Sequence, residues 1–342
     1  MEQQQNERVN SNYFQLNLKN LVKVEQICQG MDINKEGSLL LLDYLFVIAV
    51  FVFKNGLINK LQLLLQPQSI ISNVLLFLNK KSYFISTSFN SLILWSTNLI
   101  GSQKYIKKLE GSDDQILSIA FHPTDENIIF SGSSNKKINI WSISATKNPC
   151  QQTLNVPLRQ IIQLQILQDG NKLVALGNIK QMIVMENKNN LWKVKQLIEL
   201  KQQINQIQIL SNNILMVSQN KSGLISDFAQ NLQIFSFKDD TTLFSYPETL
   251  LINDCVQLIK QVEFQNNKNK QFLLVICASN LYIIKFQNID QGKMVVEQIL
   301  NYQDLMSTSN LNIQIMSSDG KYLIISDISS SQIHILELKQ NY

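Results

Sequence analysis

The chain has 342 residues, 45 % of them hydrophobic, enough to bury a sizeable core and too many for a disordered chain. Its formal net charge is only +4, and Arg8 and Arg159 are the only arginines; bidentate reading of phosphates and base edges favours Arg, so both facts speak against a nucleic-acid binder. Charged residues make up 16 %, against about 25 % in a typical soluble protein, so the polar surface must be built largely from Asn, Gln and Ser.

From the N-terminus, residues 1–12 (MEQQQNERVNSN) are polar and amide-rich, with no apolar stretch of a secretory signal. They are expected to form a disordered or loosely held lead-in. Tyr13–Leu18 (YFQLNL) is strand-like and has no obvious partner nearby. Leu39–Phe53 (LLLLDYLFVIAVFVF) is strongly apolar but contains Asp43 and is shorter than the roughly 20 residues of a spanning helix. It reads as two buried strands with Asp43-Tyr44 as the turn, a membrane-inserted or interfacial segment being the other reading.

Beyond this point, short β-branched runs alternate with polar turns, and no sustained helical periodicity appears. The clearest unit is Leu109–Ile143, divided into strands at Ile116–Phe121, Ile128–Gly132 and Lys137–Ser142. Ser82–Ser96 (SYFISTSFNSLILWS) resembles it, and Trp95 and Trp141 end corresponding strands about one propeller blade apart. Extending the register gives Phe53, Trp95, Trp141, Met185, Phe228, Phe286 and Leu336 as the large residues closing each third strand. Seven blades follow, at 22–65, 69–110, 115–156, 159–200, 203–237, 256–300 and 309–338, with a long inter-blade loop at about 238–255. The last blade has room for three strands, and Tyr13–Leu18 is expected to supply its outer one. The fold expected is therefore all-β, a single β-propeller over residues 13–342. Gly is scarce (11 residues), so Asn is expected at the left-handed turn positions, as in Asn79-Lys80, Ser134-Asn135, Asn212-Asn213 and Asn266-Asn267.

The unit "SIAFHP … IIFSGSSNKKINIWS", residues 118–142, resembles a WD repeat, the blade of the WD-repeat β-propeller family; "LILWS" at 92–96 matches more weakly. In such repeats a His, a Ser or Thr, an Asp and the Trp form a hydrogen-bonded network. Ser131 and Trp141 match that pattern, while Ser112 stands at the His position and Asn135 at the Asp position. The resemblance implies a partial network in this blade and almost none elsewhere, leaving apolar packing between sheets as the main source of stability.

No phosphate-binding Gly-rich loop and no nucleophile elbow is present. The two histidines, His122 in a turn and His334 in an apolar strand, read as structural, and Cys28, Cys150, Cys255 and Cys277 are too scattered for zinc or a disulfide framework. Asp113-Asp114 and Asp239-Asp240 read as solvated turns. No catalytic residue, metal site or cofactor is expected, and the chain reads as a non-enzyme. Lys80-Lys81, Lys107-Lys108 and Lys136-Lys137 form the basic pairs, and Lys136 and Lys137 are taken as candidate partner-binding residues.

The resemblance implies a non-enzymatic scaffold that docks other proteins on its loop faces as one subunit of a larger hetero-complex. Nucleic-acid binding and membrane insertion are not expected, and free thiols point to a reducing, cytoplasmic setting. A non-catalytic subunit of an RNA-binding or RNA-modifying complex is the alternative; an enzyme on a propeller scaffold would need clustered acids in the central channel.

Overall fold

The computed structural model describes residues 14–24, 28–44, 47–66, 74–98, 105–177, 180–189, 191–200, 202–211, 214–220, 230–238, 242–252, 257–263, 271–277, 280–288, 293–302, 311–327 and 330–340. Among these are 28 strands and no helix. The expected lead-in, residues 1–12, lies outside them.

The strands form seven four-stranded antiparallel sheets. Blade one holds β2 (Cys28–Ile33), β3 (Leu39–Tyr44), β4 (Val47–Lys54) and β5 (Leu57–Leu65). Blade two holds β6 (Leu75–Phe77), β7 (Tyr83–Ser88), β8 (Ser91–Ser96) and β9 (Lys107–Glu110). Blade three holds β10 (Ile116–Phe121), β11 (Ile128–Ser133), β12 (Lys137–Ser142) and β13 (Cys150–Asn155), and blade four holds β14 (Ile161–Ile166), β15 (Lys172–Gly177), β16 (Gln181–Lys188) and β17 (Leu191–Glu199). Blade five is β18 (Ile204–Ser211), β19 (Ile214–Asn220), β20 (Gln230–Lys238) and β21 (Thr242–Ile252), and blade six is β22 (Gln257–Glu263), β23 (Gln271–Cys277), β24 (Asn280–Asn288) and β25 (Lys293–Asn301). Blade seven joins β26 (Leu311–Met316), β27 (Tyr322–Asp327) and β28 (Gln332–Gln340) to β1 (Phe14–Lys23) from the other end of the chain. The first strands of blades one to seven line the axis: β2 touches β6 and β26, and β10, β14, β18, β22 and β26 touch in turn.

The core is divided into seven apolar clusters, each lying between two consecutive blades. Because side chains alternate across a strand, one strand feeds two clusters. In β3, Leu40 and Leu42 pack against blade seven while Leu41 packs against blade two. In β15, Leu173 and Ala175 face blade three while Val174 and Leu176 face blade five. A strand covered on both faces has no reason to alternate polar with apolar, and this explains the continuous run at Leu39–Phe53 without a membrane. β3 and β4 divide that run, but Asp43 and Tyr44, expected as the turn, belong to β3, with Tyr44 opposite Val47.

Closure runs as the sequence suggests, over a longer stretch. β1 pairs antiparallel with β28 from Phe14↔Gln340 to Lys23↔Gln332, with an irregularity between Leu18 and Asn20. Val22, placed in blade one from sequence, therefore belongs to blade seven opposite Ile333; blade one starts at Cys28. The expected inter-blade loop at 238–255 is also corrected. It contains β21, paired with β20 from Lys238↔Thr242 to Gln230↔Ile252. The pairing skips a residue between Gln233 and Phe235, opposite the stretch holding Pro247. Proline removes a donor and so reads as a strand breaker, but the outermost strand of a sheet tolerates it at such a break.

By strand pairing and by the cluster it enters, the position of Trp141 is taken by Phe51, Trp95, Met185, Phe235, Ile284 and Leu336 in the other blades. The expected Phe53 and Phe286 lie two residues further along the same face, and Phe228 lies outside the described residues. A slip of two conserves the face of a strand, so an apolar pattern cannot detect it. Left-handed turns use Asn55, Asn148 and Asn189, but after Ser134-Asn135 it is Lys136 that takes positive φ (67°), a conformation costing an L-residue about 1–2 kcal/mol. Asn212-Asn213 and Asn266-Asn267 lie outside the described residues.

A blade also has two open backbone edges, and side-chain amides from neighbouring blades cover part of them. The Gln163 amide donates to the Ile207 carbonyl and accepts from the Ile207 N–H, both at 2.9 Å, tying β14 to the inner edge of β18. Gln152 does the same to Trp192 (3.1 and 3.2 Å), and Gln298 to Phe14 (2.9 and 2.9 Å), on the outer edges of β17 and β1. Asp32 accepts from the Phe77 N–H at 2.7 Å, and the Ser118 hydroxyl donates to the Ile161 carbonyl at 3.1 Å.

Two outcomes are expected. Gln163→Leu leaves the Ile207 N–H and carbonyl without partners and lowers stability by about 1–3 kcal/mol in denaturant melts. Removal of residues 1–23 strips β1 from blade seven and Phe14 from its buried cluster, and thermal scans should lose their cooperative transition, recoverable with a synthetic peptide spanning β1.

Candidate functional site

Antiparallel order sorts the links of every blade onto two faces. The link from first to second strand and the link from third to fourth open on one face; the link from second to third strand and the link onward to the next blade open on the other. Each candidate residue can be placed on this frame.

On the first face the links are sewn together. The Glu126 carboxylate, buried in blade three, accepts from the N–H groups of Lys80 (2.8 Å) and Lys81 (3.1 Å) in blade two. His122 Nε2 lies 3.1 Å from the Gly170 carbonyl in blade four, and the Ser318 hydroxyl donates to the Lys35 carbonyl, joining blade seven to blade one. The Lys107 ammonium donates to the carbonyls of Ile143 (2.8 Å) and Ala145. Lys80, Lys81 and Lys107 on this face thus serve the junction of blades two and three, with Lys81 Nζ on Asn127 (2.6 Å), while Lys108 pairs with Glu110 (2.7 Å) inside β9. The reading of His122 as a turn residue holds. The role of Glu126 was not legible, since its partners lie one blade away in sequence.

Lys136 and Lys137 lie on the opposite face, in the turn between β11 and β12 and at the start of β12. Lys136 is exposed, and Lys137 pairs with Asp113. The three basic pairs therefore do not form one patch; the alternation of strand direction separates them.

Of the network expected from the resemblance, the Ser–Trp contact is found in two blades among the described residues. Trp141 Nε1 donates to Ser131 Oγ at 2.8 Å, and Trp95 Nε1 donates to Ser86 Oγ at 2.9 Å, both fully buried. The second pair was missed because "FISTSFNSLILW" lacks the Gly that follows Ser131; Ser86 lies opposite Ile93, two positions along from the Phe84–Trp95 pair, as Ser131 is from the Ile129–Trp141 pair. Ser112 turns inward to the Asp114 carbonyl (2.8 Å) and does not replace the missing His.

The titratable groups buried in blades one and seven are structural in their surroundings. His334 is 2 % exposed, and neither ring nitrogen has a protein hydrogen-bond partner. Burial pushes its pKa below the ordinary histidine value, against the opposing pull of Asp327. Burial pushes the Cys28 thiol up to about 12, so it is neither a nucleophile nor a ready ligand at neutral pH. Burial would raise the Glu337 carboxyl, but hydrogen bonds from Lys19 and Lys321 outweigh it and hold the pKa below the usual value. Cys28 and Cys150 are free thiols. Among the described residues no group of three or more His, Cys, Asp and Glu is placed to hold a metal ion, and no helix is long and apolar enough to cross a membrane.

No family model matches the chain. A stretch of 74 residues, 21 % of the chain, is 31 % identical to a protein described as nuclear distribution protein PAC1 from Candida tropicalis. The match spans 14 % of that relative's length.

The lowered pKa of His334 sets a pH dependence. The unfolded chain binds a proton near pH 6.5 that the folded chain refuses, so stability falls as pH drops from about 7 towards 5. Thermal midpoints across this window should decline in the wild type, and His334→Leu should flatten the slope.

Proposed function

We propose that this chain is a WD-repeat-like propeller that works as a non-enzymatic scaffold, one subunit of a larger assembly, docking other proteins on its loop faces. The observation that carries the reading is the closed ring whose links are hydrogen-bonded from blade to blade. Such a body presents two broad, preorganised faces, and binding to it loses little entropy on the scaffold's side. The paired Ser–Trp contacts in blades two and three support the WD-repeat reading, as does the stretch of similarity to the nuclear distribution protein. Low charge and abundant uncharged amides suit wet, polar contacts that depend little on electrostatic steering.

Lys136 and Lys137 are proposed contacts on the face opposite the sewn links. Lys136 is exposed in a turn of positive φ whose carbonyl accepts from the Val156 N–H at 2.9 Å. Affinity purification from native extract followed by mass spectrometry is expected to return a defined set of partner proteins. Charge reversal, Lys136→Glu with Lys137→Glu, should reduce recovery of at least one of them without lowering the thermal midpoint by more than about 1 kcal/mol equivalent. Unchanged recovery would remove this turn from the interface.

A further inference from the structure

Asn55-Gly56 is the one Asn-Gly pair in the sequence, and it forms the tip of the β4–β5 hairpin. Lys54 pairs with Leu57, so these two residues alone make the turn, both in the left-handed region at φ 52° and 79°. That is the two-residue connection for which Asn-Gly is a preferred sequence. The same pair is prone to internal cyclisation, because glycine presents its nitrogen to the preceding side chain with no Cβ in the way.

Whether a folded turn reacts depends on what holds its groups. Asn55 is exposed, and among the described residues neither its side-chain amide nor the Gly56 N–H has a hydrogen-bond partner. The two Asp-Gly pairs, which cyclise by the same route, are held. The N–H groups of Gly170 and Gly320 donate to the carbonyls of Leu167 and Ser317, both at 2.9 Å. The carboxylates of Asp169 and Asp319 accept from the N–H groups of Asn171 and Lys321, both at 3.0 Å. In the Asn55-Gly56 turn the central peptide plane makes no ladder bond. Its flip from the type I′ to the type II′ arrangement breaks none and brings the Gly56 nitrogen towards Asn55 Cγ.

We infer that Asn55-Gly56 is a self-modifying site at which the folded protein deamidates, and that the product loosens the closure of the ring. The Gly56 nitrogen bonds to Asn55 Cγ, and its proton leaves with the side-chain amino group as ammonia. Water, the only co-reactant, then adds across one C–N bond of the resulting succinimide. The product at position 55 is aspartate or isoaspartate. Isoaspartate lengthens the main chain by one carbon, and a two-residue turn has no slack for it. Gly56 is buried on the closing junction: a Cβ there would lie 2.7 Å from Lys19 Cγ of β1 and 2.9 Å from Tyr322 of blade seven. Phe53 meets Tyr322 edge to face at 5.3 Å. Either product also adds a carboxylate one residue from the glycine that packs on Lys19, and Lys19 is paired with Glu337 at 3.2 Å.

The test is incubation of the whole protein at mildly alkaline pH, followed by peptide mapping with fragmentation that separates isoaspartate from aspartate. Because the flip needs no local unfolding, position 55 should react within about tenfold of the rate of a free peptide spanning residues 53–58. Amide hydrogen exchange in β1 should rise in step with the modified fraction. Asn55→Gly keeps a turn that both residues adopt without strain and has no amide to lose; its β1 exchange should stay constant through the same incubation. A slower rate at position 55, or modification only in denaturant, overturns the site. Modification with β1 exchange unchanged, or an equal rise in the Asn55→Gly protein, overturns its effect on closure.

Discussion

Each blade of this protein is a sheet that is apolar on both faces, and such a sheet has no stable existence by itself. Leu40 and Leu41, neighbours in β3, enter different clusters, one shared with blade seven and one with blade two. The same holds for Ile129 and Phe130 in β11. Burial of a single large aliphatic or aromatic side chain contributes about 1.5–3 kcal/mol, and half of that contribution in every blade depends on the presence of the next one. A line of blades would leave two apolar faces bare at its ends. Only a closed ring removes them, which is why β1 must travel to β28 and why the junction of blades seven and one is a core cluster like the other six.

Faces account for cohesion, but edges account for the composition. Seven separate sheets have fourteen backbone edges, and each unsatisfied buried N–H or carbonyl costs about 1–3 kcal/mol. A glutamine carries one donor and one acceptor on a short arm, the pattern needed to complete an N–H and a carbonyl of one residue. Gln152, Gln163 and Gln298 do this across three different blade junctions. The amide-rich, charge-poor character of the chain thus has a structural use inside the ring as well as on its surface. Where amides are not used, carboxylates and hydroxyls serve: Asp32, Ser118 and Glu126 each cross a junction to a backbone group.

The same geometry limits what the molecule can do chemically. Links from successive blades converge on two faces, where several charged side chains, among them Lys107, Glu126 and Lys137, are engaged with neighbouring groups. Of the buried ionisable groups, Cys28 and His334 are pushed towards their uncharged forms by the core around them, while Glu337 is held towards its charged form by Lys19 and Lys321. The turn at Lys136 is exposed on the face opposite the sewn links.

Much of this was legible in the residues. The three strands of the central unit fall at Ile116–Phe121, Ile128–Ser133 and Lys137–Ser142, within a residue of the sequence reading, because Gly, Asn and Asp mark each turn. The closing strand was also legible, since a blade with room for three strands requires a fourth. The errors have a common origin. The stretch at 238–255 was read as a loop because it looked like excess length between blades, yet β21 pairs along it with β20. Phe53 and Phe286 were preferred to Phe51 and Ile284, because a shift of two residues preserves the face. Short β-branched runs, the turns between them and the spacing of the closing residues determined the fold class and the blade number, as these depend on contacts within a sheet, a few residues apart. Which face each turn opens on, how the basic pairs are dispersed, and which backbone edges stay uncovered were decided only by tertiary structure. Each of those depends on a partner a whole blade away, or at the opposite end of the chain.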